Sequence, residues 1–136
     1  MEITLEWRGE ERFVATTSTG VEVALDGASG EGVSPMESLL VALAGCMATD
    51  VVDILTKGRQ QPLACRVLAR GERREEPPRR FTTLGLTIEL TGADLSRGKV
   101  DRAVRLSRET YCSVWHTLAR DLDLDIEVEL REGESG

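Results

Sequence analysis

The chain has 136 residues, 40% hydrophobic and 30% charged. That is the composition of a folded globular protein with room for a core, and it excludes a disordered chain. The net charge of −7 leaves no basic footprint for nucleic acid or anionic lipid. The N-terminal "MEITLEWRGEERF" lacks the basic start and apolar run of a signal peptide, and no 18 consecutive apolar residues occur, so no membrane partner is expected. Three cysteines in such a chain point to a reducing cytoplasm, and the odd count argues against a purely structural set of disulfides.

"ITLEW" alternates Ile3, Leu5 and Trp7 with polar neighbours, the pattern of a half-buried strand. "RFVATTSTGVEVALDG" predicts two short strands about a turn at Ser18–Thr19–Gly20, and "DGASGEGVS" a loop. A capping box then opens the strongest helix: Ser34 at the N-cap, Pro35 at the first position and Glu37 at the third. From Met36 to Leu55 the apolar residues cover more than one face, as in a helix central to the fold or covered by a partner subunit. Lys57 and Arg59 suit its C-terminal end. "LACRVLARGE" and "FTTLGLTIEL" read as strands joined by the solvated connector "RREEPPRR". A helical stretch follows from about Lys99 to Tyr111, with Val100, Ala103, Val104 and Ser107 at helical spacing. Cys112 stands at its junction with a further helical stretch, "SVWHTLARDL". In the closing "LDLDIEVEL", Leu122, Leu124, Ile126, Val128 and Leu130 alternate with acids, which predicts a strand with one wet face. No internal repeat stands out. The order of elements is that of a single α+β domain over residues 1–136.

The chemistry rests on the thiols. Cys65 lies in a predicted strand, where a free cysteine is usually a small buried apolar residue. Cys46 sits in the apolar helix and Cys112 lies 66 positions later, so only tertiary structure can join them. Core filler, metal ligands and a redox pair are all open at this point. Cys112 can head a helical turn whose backbone N–H groups favour a thiolate, and a second thiol nearby lets a sulfenic acid condense to a disulfide. His116, the only histidine, follows Cys112 by four positions and shares its helix face. A zinc site of Cys46, Cys112 and His116 is conceivable, but zinc motifs supply paired ligands at short spacing and no CxxC is present. His116 is expected to be a packed or partly exposed histidine next to Trp115, and no metal is expected. Asp50 and Asp53 follow Cys46 by four and seven positions. As free carboxylates they would blunt its reactivity, so a reactive Cys46 needs them paired or turned away and a cation close by. Arg8 and Arg12 are the candidates.

"SPMESLLVALAGCMATDVVDILTKGR" followed by "RLSRETYCSVWHTL" resembles the OsmC/Ohr superfamily of osmotically inducible and organic hydroperoxide resistance proteins. It is most similar to the OsmC-like branch that carries an SPMEL…ALAGC…DV helix and a YCSV segment. The resemblance covers nearly the whole chain. It implies an OsmC-like α+β fold, antiparallel sheets around a long central helix, in an intertwined homodimer with its active sites at the interface. It also implies that Cys46 is the peroxidatic thiolate and Cys112 the resolving thiol. The substrate would be a small organic hydroperoxide or hydrogen peroxide, and a dithiol reductant of lipoyl or thioredoxin type would reopen the disulfide, with no cofactor. An apolar pocket at the subunit interface, lined by Met47, Val114 and Trp115, is expected to admit the substrate.

One departure stands out. Members of the peroxidase branches place a glutamate ten positions before the first cysteine. Here Met36 occupies that place, and Glu37, at nine, points elsewhere because one residue turns a helix by about 100°. The alternative reading is therefore a non-catalytic binding or redox-sensing protein that uses the same pocket for a small apolar ligand.

Overall fold

The computed structural model describes residues 1–133 of the chain. Residues 1–39 and the residues from Leu40 onward form two compact units.

In the first unit, β1 (Ile3–Gly9), β2 (Arg12–Thr17) and β3 (Glu22–Asp26) form an antiparallel sheet in that order. The β2–β3 hairpin turns where the sequence places it. Gly20 takes φ +90°, open to a residue without Cβ, and donates its N–H to the Thr17 carbonyl at 3.0 Å. The loop after β3 is organised by Asp26, whose buried carboxylate accepts N–H bonds from Glu31 (3.0 Å) and Ala28 (2.9 Å). The side chains of Ile3, Leu5 and Trp7 alternate along β1 as expected, but they are exposed, Trp7 by 66%. The half-buried strand of the sequence reading thus has its apolar face uncovered in the single chain.

Helix α1 (Pro35–Lys57) begins on the capping box. Ser34 Oγ accepts from Glu37 N–H at 3.1 Å, and Glu37 Oε1 accepts from Ser34 N–H at 3.0 Å. Its far end closes with the Gln60 N–H on the Leu55 carbonyl at 2.8 Å, while Arg59 takes the left-handed position (φ 63°) at which glycine is usual. By length and composition alone α1, with 23 residues and an 18-residue window of mean hydropathy 1.8, is long and apolar enough to cross a membrane, a test that the core helix of a soluble protein also passes. Leu43, Met47, Val51 and Leu55 along it are nevertheless buried within the protein.

The second unit holds β4 (Pro62–Arg73), β5 (Phe81–Gly92) and β6 (Asp123–Glu132), with β5 in the middle. Between β5 and β6 come α2 (Arg97–Leu106), a π-helical turn (Ser107–Tyr111) and the short α3 (Ser113–Thr117). The β1–β2–β3 sheet and the β4–β5 pair are antiparallel as expected, but β6 runs parallel to β5. The cause is connectivity: the chain leaves the end of β5, crosses through helices and re-enters in the same direction. Val51 and Leu55 of α1 pack with Ile88 and Leu90 of β5 and with Val100, Ala103 and Val104 of α2, and Val67 and Val128 flank them. On the opposite face of β5, Gly85 and Thr87 are buried beside Arg70 of β4. The Arg70 guanidinium donates to Thr87 Oγ1 at 3.2 Å, and a Cβ on Gly85 would stand 2.8 Å from Arg70 Cζ. β6 has its one wet face, with Asp123, Asp125, Glu127 and Glu129 exposed.

Truncating Leu55→Ala leaves a void in the packed cluster and is expected to lower stability by about 2–5 kcal/mol in urea unfolding. Ser34→Ala, which removes one arm of the capping box, should cost about 1 kcal/mol. Backbone N–H bonds from Glu31 and Ala28 hold the Asp26 carboxyl below the usual carboxylate range. Its stabilisation is therefore complete above that range and lost as pH falls through the lowered folded value. Unfolding curves of Asp26→Asn should show a deficit at pH 7 that shrinks on acidification.

Candidate functional site

Cys46 and Asp50 stand one turn apart on α1, at spacing i, i+4. Cys112 arrives from the junction of the π-helical turn with α3. That turn is wound one residue wide: the Cys112 N–H bonds the Ser107 carbonyl, five residues back, at 2.8 Å. Cys112 then ends the winding with extended backbone and caps α3, its sulfur accepting the Trp115 N–H at 3.4 Å. The two sulfurs and a carboxylate oxygen of Asp50 lie within 4.8 Å of one another. Structure has thus joined the two thiols that the sequence separates.

Burial dominates the chemistry of Cys112, which is fully enclosed. Loss of solvent pushes its thiol up to about 11. The Trp115 N–H opposes this, while the Cys46 thiol and the charges of Cys46 and Asp50 add to it. The N–H groups of a helical turn were expected to favour a thiolate at Cys112, but they are outweighed. A hidden thiol that keeps its proton suits a partner for an oxidised sulfur better than a first attacker. Cys46 is half-buried.

The two acids differ. Asp53 is turned away and paired with Lys57 at 2.9 Å, as a reactive Cys46 requires. Asp50 faces the thiols, and its Oδ2 accepts the hydroxyl of the fully buried Ser107 at 2.7 Å. The sequence reading noticed Asp50, and it placed Ser107 at helical spacing with Val100, Ala103 and Val104 without giving it a role, although a hydroxyl in that apolar series was the available signal. His116 is exposed and stands outside the group of close donors. Cys65, expected to be buried, is exposed on β4. A cleft of about 640 Å³ opens beside the site, lined by Asp50, Asp53, Ile54, Lys57, Arg102 and Tyr111 among others. Met47 is buried and Val114 and Trp115 are half-buried, and none of the three lines that cleft; the pocket expected of them is one between two chains.

The supporting charges considered from sequence are engaged within their own unit. Arg8 pairs with Glu6 at 3.4 Å and Arg12 with Glu31 at 2.7 Å. Glu37 is held by Ser34 and also by the Ser29 hydroxyl at 3.0 Å, in keeping with its reading as a capping residue only.

Residues 27–127 match the family model described as OsmC-like protein. Protein YhfA of Escherichia coli (strain K12) is 46% identical over 115 residues, which is 84% of this chain and 86% of that protein. The crystal structure of a hypothetical protein from Aquifex aeolicus VF5 superposes with a TM-score of 0.89 at 32% identity, covering 98% of this chain and 97% of that one. The organic hydroperoxide resistance protein OhrB of Bacillus subtilis shares the fold, with a TM-score of 0.64 at 16% identity and coverage of 95% and 98%.

Alkylation mapped by mass spectrometry tests the electrostatics at Cys112. At pH 8 a thiol held at about 11 has about a hundredfold less thiolate than one at its ordinary value. Iodoacetamide should therefore label Cys112 slowly in the reduced chain, at a rate still climbing beyond pH 10.

Proposed function

The chain belongs to the OsmC-like family, and from that premise we propose that it is a thiol-dependent peroxidase working through Cys46 and Cys112. The single observation that carries this reading is the approach of the two sulfurs, within 4.8 Å, from segments 66 residues apart. Few packing requirements explain two free thiols at such a distance, and disulfide geometry asks only for a modest further shift.

The steps balance with sulfur as the only redox element. Cys46, as thiolate, attacks the terminal oxygen of a hydroperoxide. The O–O bond breaks, an alcohol or water leaves, and Cys46 becomes a sulfenic acid. The Cys112 sulfur then attacks the Cys46 sulfur, a disulfide forms and water departs with the proton that Cys112 carried. A dithiol reductant, of lipoyl or thioredoxin type, exchanges its own two thiols for the disulfide and restores the pair. The substrate is a small organic hydroperoxide or hydrogen peroxide, entering beside Asp50.

The same reading takes residues 1–136 as one domain, cytoplasmic, acting as a homodimer. The family match runs across the boundary between the two compact units. Uncovered apolar residues support a second copy: Ile3, Leu5 and Trp7 on β1, and Leu39 and Val41 on α1. A partner that covers them removes apolar surface from water at about 25 cal/mol per Å².

A second reading has its own observation. Asp50 places negative charge beside both sulfurs, and that charge opposes a thiolate. On this view the pair is a slow redox sensor or a binding site. Rate separates the two. Reduced chain titrated with cumene hydroperoxide should lose two thiols per chain, faster than free cysteine reacts, and Cys46→Ser should lose all turnover with a dithiol present. A second-order rate no greater than that of free cysteine selects the sensing or binding role. Full turnover by Cys46→Ser rejects the scheme outright. Sedimentation of the native chain should report a mass of two chains.

A further inference from the structure

We propose that, in the reduced protein, Cys46, Asp50 and Cys112 form a three-donor site for a zinc-type divalent cation, with the fourth coordination position left to water or an exogenous thiol. The inference goes beyond peroxide chemistry and holds whether or not the thiols turn over.

Three observations carry it. The first is the donor set. Two sulfurs and one carboxylate oxygen converge within 4.8 Å of one another. Tetrahedral zinc, with bonds of about 2.3 Å to sulfur and about 2.1 Å to carboxylate oxygen, needs donor separations of about 3.6–3.8 Å. The group is therefore gathered to within about 1 Å of coordination geometry before any ion arrives. Two thiolates select a soft or borderline ion over magnesium or calcium, and the carboxylate adds charge that favours a divalent one.

The second is a supporting shell. Ser107 is fully buried and donates its hydroxyl to Asp50 Oδ2 at 2.7 Å. A carboxylate has about four acceptor sites, so this bond orients Asp50 and leaves capacity for a metal. Hydrogen bonds of this kind typically fix the ligands of metal centres. One wide turn of helix supplies both the orienting hydroxyl and the Cys112 ligand, since Ser107 and Cys112 are joined across it at 2.8 Å.

The third is access. Asp50 lines the cleft of about 640 Å³, and Cys46 is only half-buried, so an ion has a path to the donors. Binding takes no electrons: the thiols release their protons to solvent and form metal–sulfur bonds. Because the ion and the disulfide both require the same two sulfurs, each excludes the other.

Cobalt(II) chloride, a spectroscopic substitute for zinc, tests the site in the reduced full-length chain under nitrogen and without peroxide. One ion per chain should bind, with sulfur-to-cobalt charge-transfer absorption and the intense visible bands of tetrahedral cobalt, and zinc chloride should abolish both. Asp50→Asn should weaken binding at least tenfold, and Ser107→Ala should weaken it by about tenfold or more. Cys65→Ser should bind as the native chain does, which serves as the control if a site variant folds poorly. Absence of charge-transfer absorption overturns the proposal, as does undiminished affinity in Asp50→Asn or loss of the signal in Cys65→Ser. Peroxide consumption by a chain that gives no cobalt spectrum leaves the peroxidase reading in place and removes this one. A cobalt spectrum from a chain inert to peroxide does the reverse.

Discussion

Everything at the site depends on how α1 is rotated about its own axis. Leu43, Met47, Val51 and Leu55 form a buried stripe at four-residue spacing, and Val51 and Leu55 are locked against β5 and α2 by close packing. Cys46 and Asp50 each precede a stripe residue by one position, which sets them about 100° around the helix from it. The flank they occupy is the one that meets Cys112. Turning α1 by one residue would bring the stripe out of its packing and carry the thiol away from its partner. The hydrophobic contact is non-directional in itself, but interdigitated packing makes it specific in angle, and the chemistry inherits that angle.

The same burial creates a chemical tension. Enclosing Cys112 favours its protonated form, and Asp50 adds negative charge rather than relieving it. The close donors are two thiols and a carboxylate, none of them cationic. Cys112 in this setting keeps its proton until something arrives that takes sulfur electrons or supplies positive charge. An oxidant does the first and a metal ion does the second, so the peroxidase reading and the cation reading arise from one electrostatic condition.

Local chemistry made much of the fold legible. The capping box of Ser34 and Glu37, the turn at Gly20 and the wet face of β6 depend on neighbours within a few positions, and the structure reproduces each. The parallel pairing of β6 with β5 was not legible, because strand alternation reports which face is buried and is silent about direction. Cys65 and β1 failed for a related reason: alternation predicts an apolar face without saying what covers it, and Ile3, Leu5 and Trp7 are exposed. At the site, the convergence of Cys46 with Cys112 came from the family resemblance and not from spacing. Asp50 was visible as a neighbour of Cys46, but its tether to Ser107 spans 57 positions, beyond any local pattern.

The wide turn between α2 and α3 makes a demand on the length of the chain. Ser107 and Cys112 are fastened to each other and reach the same carboxylate and sulfur group through a loop of fixed count. Losing or gaining one residue among Arg108, Glu109, Thr110 and Tyr111 would rewind the turn and swing either the hydroxyl or the sulfur away from α1. The exposed connector between β4 and β5, with its paired prolines and arginines, supplies none of these donors. Relatives that keep this chemistry should therefore vary freely in the size of that connector while holding the four-residue interval invariant, so the arithmetic of insertions and deletions becomes a record of what the site needs.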